Sequence, residues 1–360
     1  MAHIRKDMIS FFLTTRCNLN CRYCYTNKTK HKHQTLALDF AKVGIDDYFR
    51  ENTSRHIRFF GAGEPTVELK LMKAIRDYAA QTAGSQLVVE TQTNGVFRMP
   101  TTEWLAENLD IIWVSSDGLP ETQDFYRRAL TGKPTSRIVE KNVRFLTTHG
   151  RGMVGIRATI TSRNVLSQRE MLKYFGDLGV RAVWSDPVFP AIGKNEAYDS
   201  PDLMEYAREF VIAEEFARNN KIFYGSILTC NFDENTTQHC RACLPVPHLT
   251  TDGYVSACDM ALFGEDRGPM SVFIYGRWMK GDNKIEYDQA KIRILRSRSI
   301  ENIAACHNCE VRYRCGGYCL GEVVNETGSL FGRKNYVCDA IQYLWWNLPR
   351  PKELYKYLHP

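Results

Sequence analysis

No stretch of the 360-residue sequence is apolar for long enough to cross a bilayer. The N-terminal "MAHIRKDMISFFLTTRC" holds a run of only about six apolar residues, too short for a membrane span or the hydrophobic region of a secretory signal. Proline is scarce, at 13 residues, and no internal repeat or low-complexity segment is present. With 44% hydrophobic and 24% charged residues, disorder is excluded as well. A strong charge of one sign is also missing. The formal net charge is +6, and the basic clusters "KTKHKH" (28–33) and "KIRILRSRS" (291–299) read as solvated faces. The expectation is a cytoplasmic chain with no membrane partner and no nucleic-acid partner. In a reducing compartment its 12 cysteines are metal ligands before they are disulfides.

The first half alternates β-rich runs with amphipathic ones. Strands are expected at 8–14, 56–60, 86–93, 110–116, 154–161 and 181–186. Helical periodicity lies between them, in "ALDFAKVGIDDYFRE", "ELKLMKAIRDYAAQ" and "SQREMLKYFGDLG". Repeated β/α units of this kind predict a parallel sheet, whose functional loops follow the strands at their carboxyl ends. Those loops are "TRCNLNCRYCY", "GAGEP", "TNG" and "SSDG", rich in glycine, polar groups or cysteine. The stretch 200–220 reads as a linker helix with Ser200 as its N-cap and Pro201 in the first turn. Beyond it lie nine of the 12 cysteines. The expected division is a barrel over 1–200, a linker helix over 201–225, a cysteine-rich domain over 226–345 and a tail over 346–360. The aromatic stripe of "DAIQYLWWNLPRPKELYKYL", broken at Pro349, reads as core packing.

Cys17, Cys21 and Cys24 are spaced C-x3-C-x2-C, one short of the four ligands of a structural zinc site. Either a distant fourth ligand completes a zinc site, or the thiolates hold an iron–sulfur cluster with one iron left open. The loop resembles the signature of the radical S-adenosylmethionine superfamily, in which three cysteines follow the first barrel strand and the cosubstrate fills the open iron. The resemblance implies an α/β fold with a partial (β/α)6 TIM-like barrel. It makes Cys17, Cys21 and Cys24 cluster ligands and Tyr23 the aromatic beside the adenine. "GAGEP" resembles the motif that holds the methionine amino group. Glu64 would take that role, with Gly61 and Gly63 allowing close main-chain approach. Ala62 departs from the usual glycine, a change of little cost if its backbone angles are ordinary. Asn94, Ser116 and Arg157 carry over as ribose and carboxylate contacts, and a guanidinium suits a carboxylate.

The second array runs from Cys243 through Gly253 to Cys258, then Cys306, Cys309, Cys315, Cys319 and Cys338. It resembles the SPASM extension of the same superfamily, with all seven cysteines in place. The resemblance implies two auxiliary clusters, one on Cys243, Cys258 and Cys319, the other on Cys306, Cys309, Cys315 and Cys338. Cys240 in "CRAC" is the expected fourth ligand of the first, with Cys230 in reserve. Zinc could fill these thiolate sites instead. The cofactors implied are three 4Fe-4S clusters and S-adenosylmethionine.

The activity implied is cosubstrate cleavage to a 5′-deoxyadenosyl radical, which abstracts a hydrogen atom from a peptide or protein. Oxidation or crosslinking of a ribosomally made peptide follows. A sulfatase-type maturase making formylglycine is the alternative, and a non-catalytic zinc or iron–sulfur module on RNA is the reading from another class. Resemblance to the sulfatase-maturating branch, where an aspartate follows the same cysteine, makes Asp259 after Cys258 the candidate general base, a role that a pKa raised by burial beside a cluster would favour; a carboxylate that hydrogen-bonds the cluster loop is the alternative. A low-potential donor such as flavodoxin or ferredoxin is an implied partner. Only 16 residues precede Cys17, so leader recognition is expected from a separate leader-binding protein or another surface.

Overall fold

A computed structural model describes residues 8–26, 33–194, 197–265 and 268–349. The basic run at 28–32 and the tail at 350–360 lie outside the described residues. Seven parallel strands form the first half: β1 (Ile9–Phe12), β2 (His56–Phe60), β3 (Val88–Thr93), β4 (Ile111–Ser115), β5 (Met153–Ile160), β6 (Ala182–Pro187) and β7 (Phe223–Gly225). The first six match the strands expected from sequence, and β7 is an addition. Four short strands continue the sheet: β8 (His248–Leu249), β9 (Tyr254–Ser256), β10 (Ile274–Met279) and β11 (Lys284–Tyr287). Their order is β11-β10-β9-β8-β1-β2-β3-β4-β5-β6-β7, so the second half is an extension of the barrel sheet. The joint is β8, which lies parallel to β1 and antiparallel to β9.

Side-chain alternation divides this sheet into two chemistries. Ile9, Phe11, Ile57 and Phe59 point to the helix layer, where Phe40, Ile45, Met72 and Ile75 complete a buried core. Phe40 and Ile45 come from the helix Leu38–Glu51, Met72 and Ile75 from Leu69–Ala83. The intervening residues form a polar row across the inner face. His248 pairs in register with Ser10, Ser10 with Arg58, and Arg58 with Glu90. All four are buried. Such a row must satisfy itself, and the Arg58 Nε donates to Ser10 Oγ at 3.0 Å.

The linker helix spans Leu203–Asn219. Its N-cap is Asp202 and not Ser200: the carboxylate accepts from the Glu205 amide at 2.7 Å. Aspartate two residues on is an equally good capping side chain, and it is the one placed to reach the first-turn amides. The C-terminal helix Asn335–Asn347 ends before Pro349. Its Ile341 and Leu344 are buried, and Trp345 packs edge-on against Phe232 at 5.3 Å, while Trp346 remains 58% exposed. No described helix is long and apolar enough to cross a membrane.

Candidate functional site

The loops after β1, β2 and β3 are laced together by their backbones. The Gly63 amide donates to Thr14 O at 2.9 Å and the Glu64 amide to Arg16 O at 2.8 Å. A Cβ on Gly63 would stand 2.0 Å from the Arg16 carbonyl oxygen, and one on Gly61, with φ at +144°, would stand 2.9 Å from Phe12 Cα. Both glycines are therefore required by close approach. Ala62 is not among the residues of positive φ, so its side chain costs nothing, and its carbonyl accepts from Thr26 Oγ1 at 2.7 Å.

Glu64 is buried and serves the loops themselves. Its Oε1 accepts from the Thr66 amide (3.1 Å), Thr66 Oγ1 (2.7 Å) and Thr93 Oγ1 (2.6 Å), and its Oε2 from the Asn94 amide at 2.7 Å. Burial pushes its carboxyl up, against the pull of those donors. Asn94 donates to Asn18 Oδ1 at 2.7 Å and approaches Cys17 Sγ at 3.9 Å, which ties the loop after β3 to the three-cysteine loop.

A cavity of about 430 Å³ opens at these carboxyl ends. Cys17, Cys21, Cys24, Tyr23, Glu64, Asn94 and Arg157 border it, and so do Cys240, Cys258 and Cys319 of the second array. Ser115 is on the wall; Ser116, the residue expected from sequence, is not among the lining residues. Successive residues at a strand end face opposite ways. Ser116 is instead buried, its amide donating to Arg157 O at 3.1 Å. Arg157 reaches the cavity already paired: its Nη2 donates to Asp186 Oδ2 at 3.3 Å. Asp186 also accepts from Trp184 Nε1 at 2.9 Å and the Ile227 amide at 2.7 Å. Burial nevertheless raises its carboxyl pKa. Tyr23 donates its hydroxyl to Asp117, which is paired with Arg127 at 3.0 Å. Burial keeps that phenol protonated.

Asp259 lines the same cavity, a third of its side chain exposed to it. Its carboxylate meets Arg58, His248 Nε2 at 3.0 Å and Arg241 Nη2 at 3.6 Å. Burial works against the charge, but Arg58, His248 and Arg241 outweigh it and hold the carboxyl well below its ordinary range. The expectation of a raised pKa is thus overturned. Arg58, Arg241 and His248 had escaped sequence reasoning, although Arg241 sits inside "CRAC".

Among the described residues no three His, Cys, Asp or Glu side chains are close enough to hold a single metal ion, so the thiols border cavities and do not ring a point. Cys306, Cys309, Cys315 and Cys338 line a second, smaller cavity. Burial pushes the Cys315 thiol up to about 12. The Arg333 Nε donates to Cys338 Sγ at 3.1 Å. Cys240 is beside Cys243, and the hydrogen bond between them favours the Cys240 thiolate. Cys230 lines neither cavity and lies 3.6 Å from His239 Nε2. Three soft thiols bordering one roomy cavity, and two further groups of four, suit iron–sulfur clusters by donor chemistry. With iron loaded anaerobically, Cys240→Ser should lose about four of about 12 irons while Cys230→Ser keeps them all, as measured by iron analysis.

Comparison with known proteins agrees with this reading of the fold. Residues 11–159 match the model of the Radical SAM superfamily. An uncharacterized protein of Methanocaldococcus jannaschii is 31% identical over 182 residues, 49% of this chain and 61% of that protein. The tungsten-containing aldehyde ferredoxin oxidoreductase cofactor-modifying protein of Pyrococcus furiosus is 27% identical over 92% of this chain and 96% of its own length. The serine-type anaerobic sulfatase-maturating enzyme of Bacteroides thetaiotaomicron is 22% identical over 90% of this chain and 84% of its length. The structure of anSMEcpe with bound AdoMet and the Cp18Cys peptide superposes with a TM-score of 0.72 at 18% identity, over 94% of this chain and 96% of that one. Residues 11–159, with the three-thiol loop among them, thus form a radical SAM domain, and the fold of nearly the whole chain is the one seen in anSMEcpe.

Proposed function

We propose that the protein is a peptide or protein maturase that removes a hydrogen atom from its substrate and oxidises or crosslinks the residue attacked. The observation that carries this reading is the single cavity bordered on one side by Cys17, Cys21 and Cys24 and on the other by Cys240, Cys258 and Cys319. A substrate held there occupies a space that both thiol groups border, which suits abstraction followed by withdrawal of an electron within one site. The bound cluster and S-adenosylmethionine would supply a carbon-centred oxidant able to take hydrogen from an unactivated C–H bond.

The chain's own residues bind and orient. Cys17, Cys21 and Cys24 would hold the first cluster. Cys240, Cys243, Cys258 and Cys319 would hold one auxiliary cluster, and Cys306, Cys309, Cys315 and Cys338 the other. Tyr23, fixed by Asp117 and Arg127, offers a ring wall at the first loop. Glu64, Asn94 and Arg157 present the polar edge, with Arg157 held extended by Asp186. Four cysteines for each auxiliary cluster favour electron transfer over direct ligation of a substrate thiol. A peptide substrate is consistent with the peptide-bound anSMEcpe fold, although the Pyrococcus relative is named for modifying a cofactor.

The test is 5′-deoxyadenosine formation from S-adenosylmethionine under dithionite. Mass spectrometry of a peptide encoded beside the gene, coexpressed with the protein, supplies the product. Wild type should form 5′-deoxyadenosine, and the Cys17, Cys21 and Cys24 triple alanine variant should not. Product with a new crosslink or an oxidised residue supports the proposal. Formylglycine would favour the sulfatase-type reading suggested by the Bacteroides relative, and no cleavage at all would leave a binding module.

Asp259 is better suited to positioning than to proton transfer, since a carboxylate held ionised by two arginines is a weak base. Asp259→Asn keeps the side-chain volume and leaves Glu90 as the remaining carboxylate near Arg58 and Arg241. The variant should lose roughly 2 kcal/mol of stability, at the low end for a broken ion cluster because the group is partly exposed. It should lose auxiliary-cluster iron as well. Full stability and iron with a product yield reduced about 100-fold would instead make Asp259 the base. Chemical denaturation, iron analysis and product quantitation separate these outcomes.

A further inference from the structure

The three-cysteine loop has an outer side as well as a cavity side. Segment 126–133 runs along it: the Asn20 amide donates to Arg128 O at 2.8 Å, the Arg22 amide to Tyr126 O at 2.9 Å and the Leu130 amide to Asn18 O at 3.1 Å. On this outer side Phe125 carries two guanidinium groups. Arg22 Cζ is 4.1 Å from the ring centroid and Arg163 Cζ is 4.0 Å away, so one ring helps to hold both cations in place. Arg22 is further fixed by its Nε donating to Phe125 O at 2.9 Å. Arg128 is held the same way, on Asp124 O at 2.9 Å. Lys133 is exposed in the turn that follows, and beside it Leu130 is 64% exposed.

Asp199, which accepts from the Tyr126 and Ser162 hydroxyls, offsets part of the charge of Arg163. Asp124 is engaged by the Thr135 amide (2.7 Å) and the Ser136 amide (2.8 Å), and among the described residues no carboxylate forms a salt bridge with Arg22, Arg128 or Lys133. The result is a preorganised basic face with an apolar centre. Stacked arginines lose little side-chain freedom when a partner binds. The location also matters. Arg22 lies in sequence between Cys21 and Tyr23, so whatever rests on this face is one residue from one of the three thiols and two from another.

We propose that the face formed by Arg22, Arg128, Lys133 and Arg163 around Phe125 and Leu130 is the docking surface for an acidic one-electron carrier protein. The proposal rests on the reading that Cys17, Cys21 and Cys24 hold the first cluster. The carrier, a reduced flavoprotein or iron–sulfur protein, loses one electron and the cluster gains it. No covalent bond forms or breaks, and any proton released by the flavin goes to solvent. Charge complementarity sets orientation and association rate, which explains why the cations are fixed in place while the centre is apolar.

The test uses iron-loaded protein and a purified acidic flavodoxin. Binding measured by titration calorimetry should weaken as salt rises. In a variant carrying Arg128→Glu, Lys133→Glu and Arg163→Glu it should weaken at least about tenfold at low salt. Flavodoxin-driven formation of 5′-deoxyadenosine should fall by a similar factor, with dithionite-driven formation unchanged. The milder pair Arg128→Gln and Arg163→Gln, with iron content as a control, guards against a folding defect and should weaken binding in the same direction. Flavodoxin binding that ignores salt and the substitutions overturns the proposal, as does a short RNA that binds this face when flavodoxin does not. Loss of dithionite-driven cleavage in the wild type would instead remove the first-cluster reading.

Discussion

The carboxylate of Asp259 is the point on which the two halves of the molecule meet. It follows Cys258 in the second array, yet its partners are Arg58 on β2, His248 on β8 and Arg241 between Cys240 and Cys243. The guanidinium groups of Arg58 and Arg241 need carboxylates beside them in so enclosed a place, and Asp259 joins Glu90 in supplying them. The polar row across the inner face of the sheet, from His248 through Ser10 and Arg58 to Glu90, thus takes up a carboxylate from the cysteine-rich half. That closure places Cys240, Cys258 and Cys319 across from Cys17, Cys21 and Cys24 on one cavity.

The cavity is organised in layers of fixed polar groups. Glu64 spends its oxygens on the loops after β2 and β3, and those loops in turn hold the three-cysteine loop through the Gly63 and Glu64 amides. Arg157 and Asp186 form a pair on the wall of the same cavity, and Asp117 anchors Tyr23 and Arg127. Because each of these groups already has a partner in the protein, little rearrangement is needed to keep the walls in place while the contents of the cavity change. The smaller cavity of Cys306, Cys309, Cys315 and Cys338 stands apart from this system.

Local signals in the sequence were enough for the strands β1 to β6, because buried parallel strands read as continuous apolar runs such as "ISFF" and "IIWVS". Strands β7 to β11 were missed: β7, β8 and β9 because two or three residues are too few to show a period, and β10 and β11 although they are longer. The cysteine groups were legible because spacing is a sequence property. What sequence could not carry was side-chain direction and distant charge. Ser115 and not Ser116 faces the cavity, a parity that one residue of uncertainty at a strand end reverses. The partners of Asp259 lie as far as 201 positions away, so burial alone suggested a raised pKa where Arg58, His248 and Arg241 together produce a lowered one.

The central claim is that the three-thiol side of the cavity leaves one metal position for the cosubstrate. Electron–nuclear double resonance on the anaerobically loaded, reduced protein, with S-adenosylmethionine labelled with 15N at its amino group, tests this directly. The account predicts a resolved 15N coupling to the cluster in the wild type, absent when Cys17, Cys21 and Cys24 are replaced. Tight binding of the labelled cosubstrate with no such coupling would contradict it.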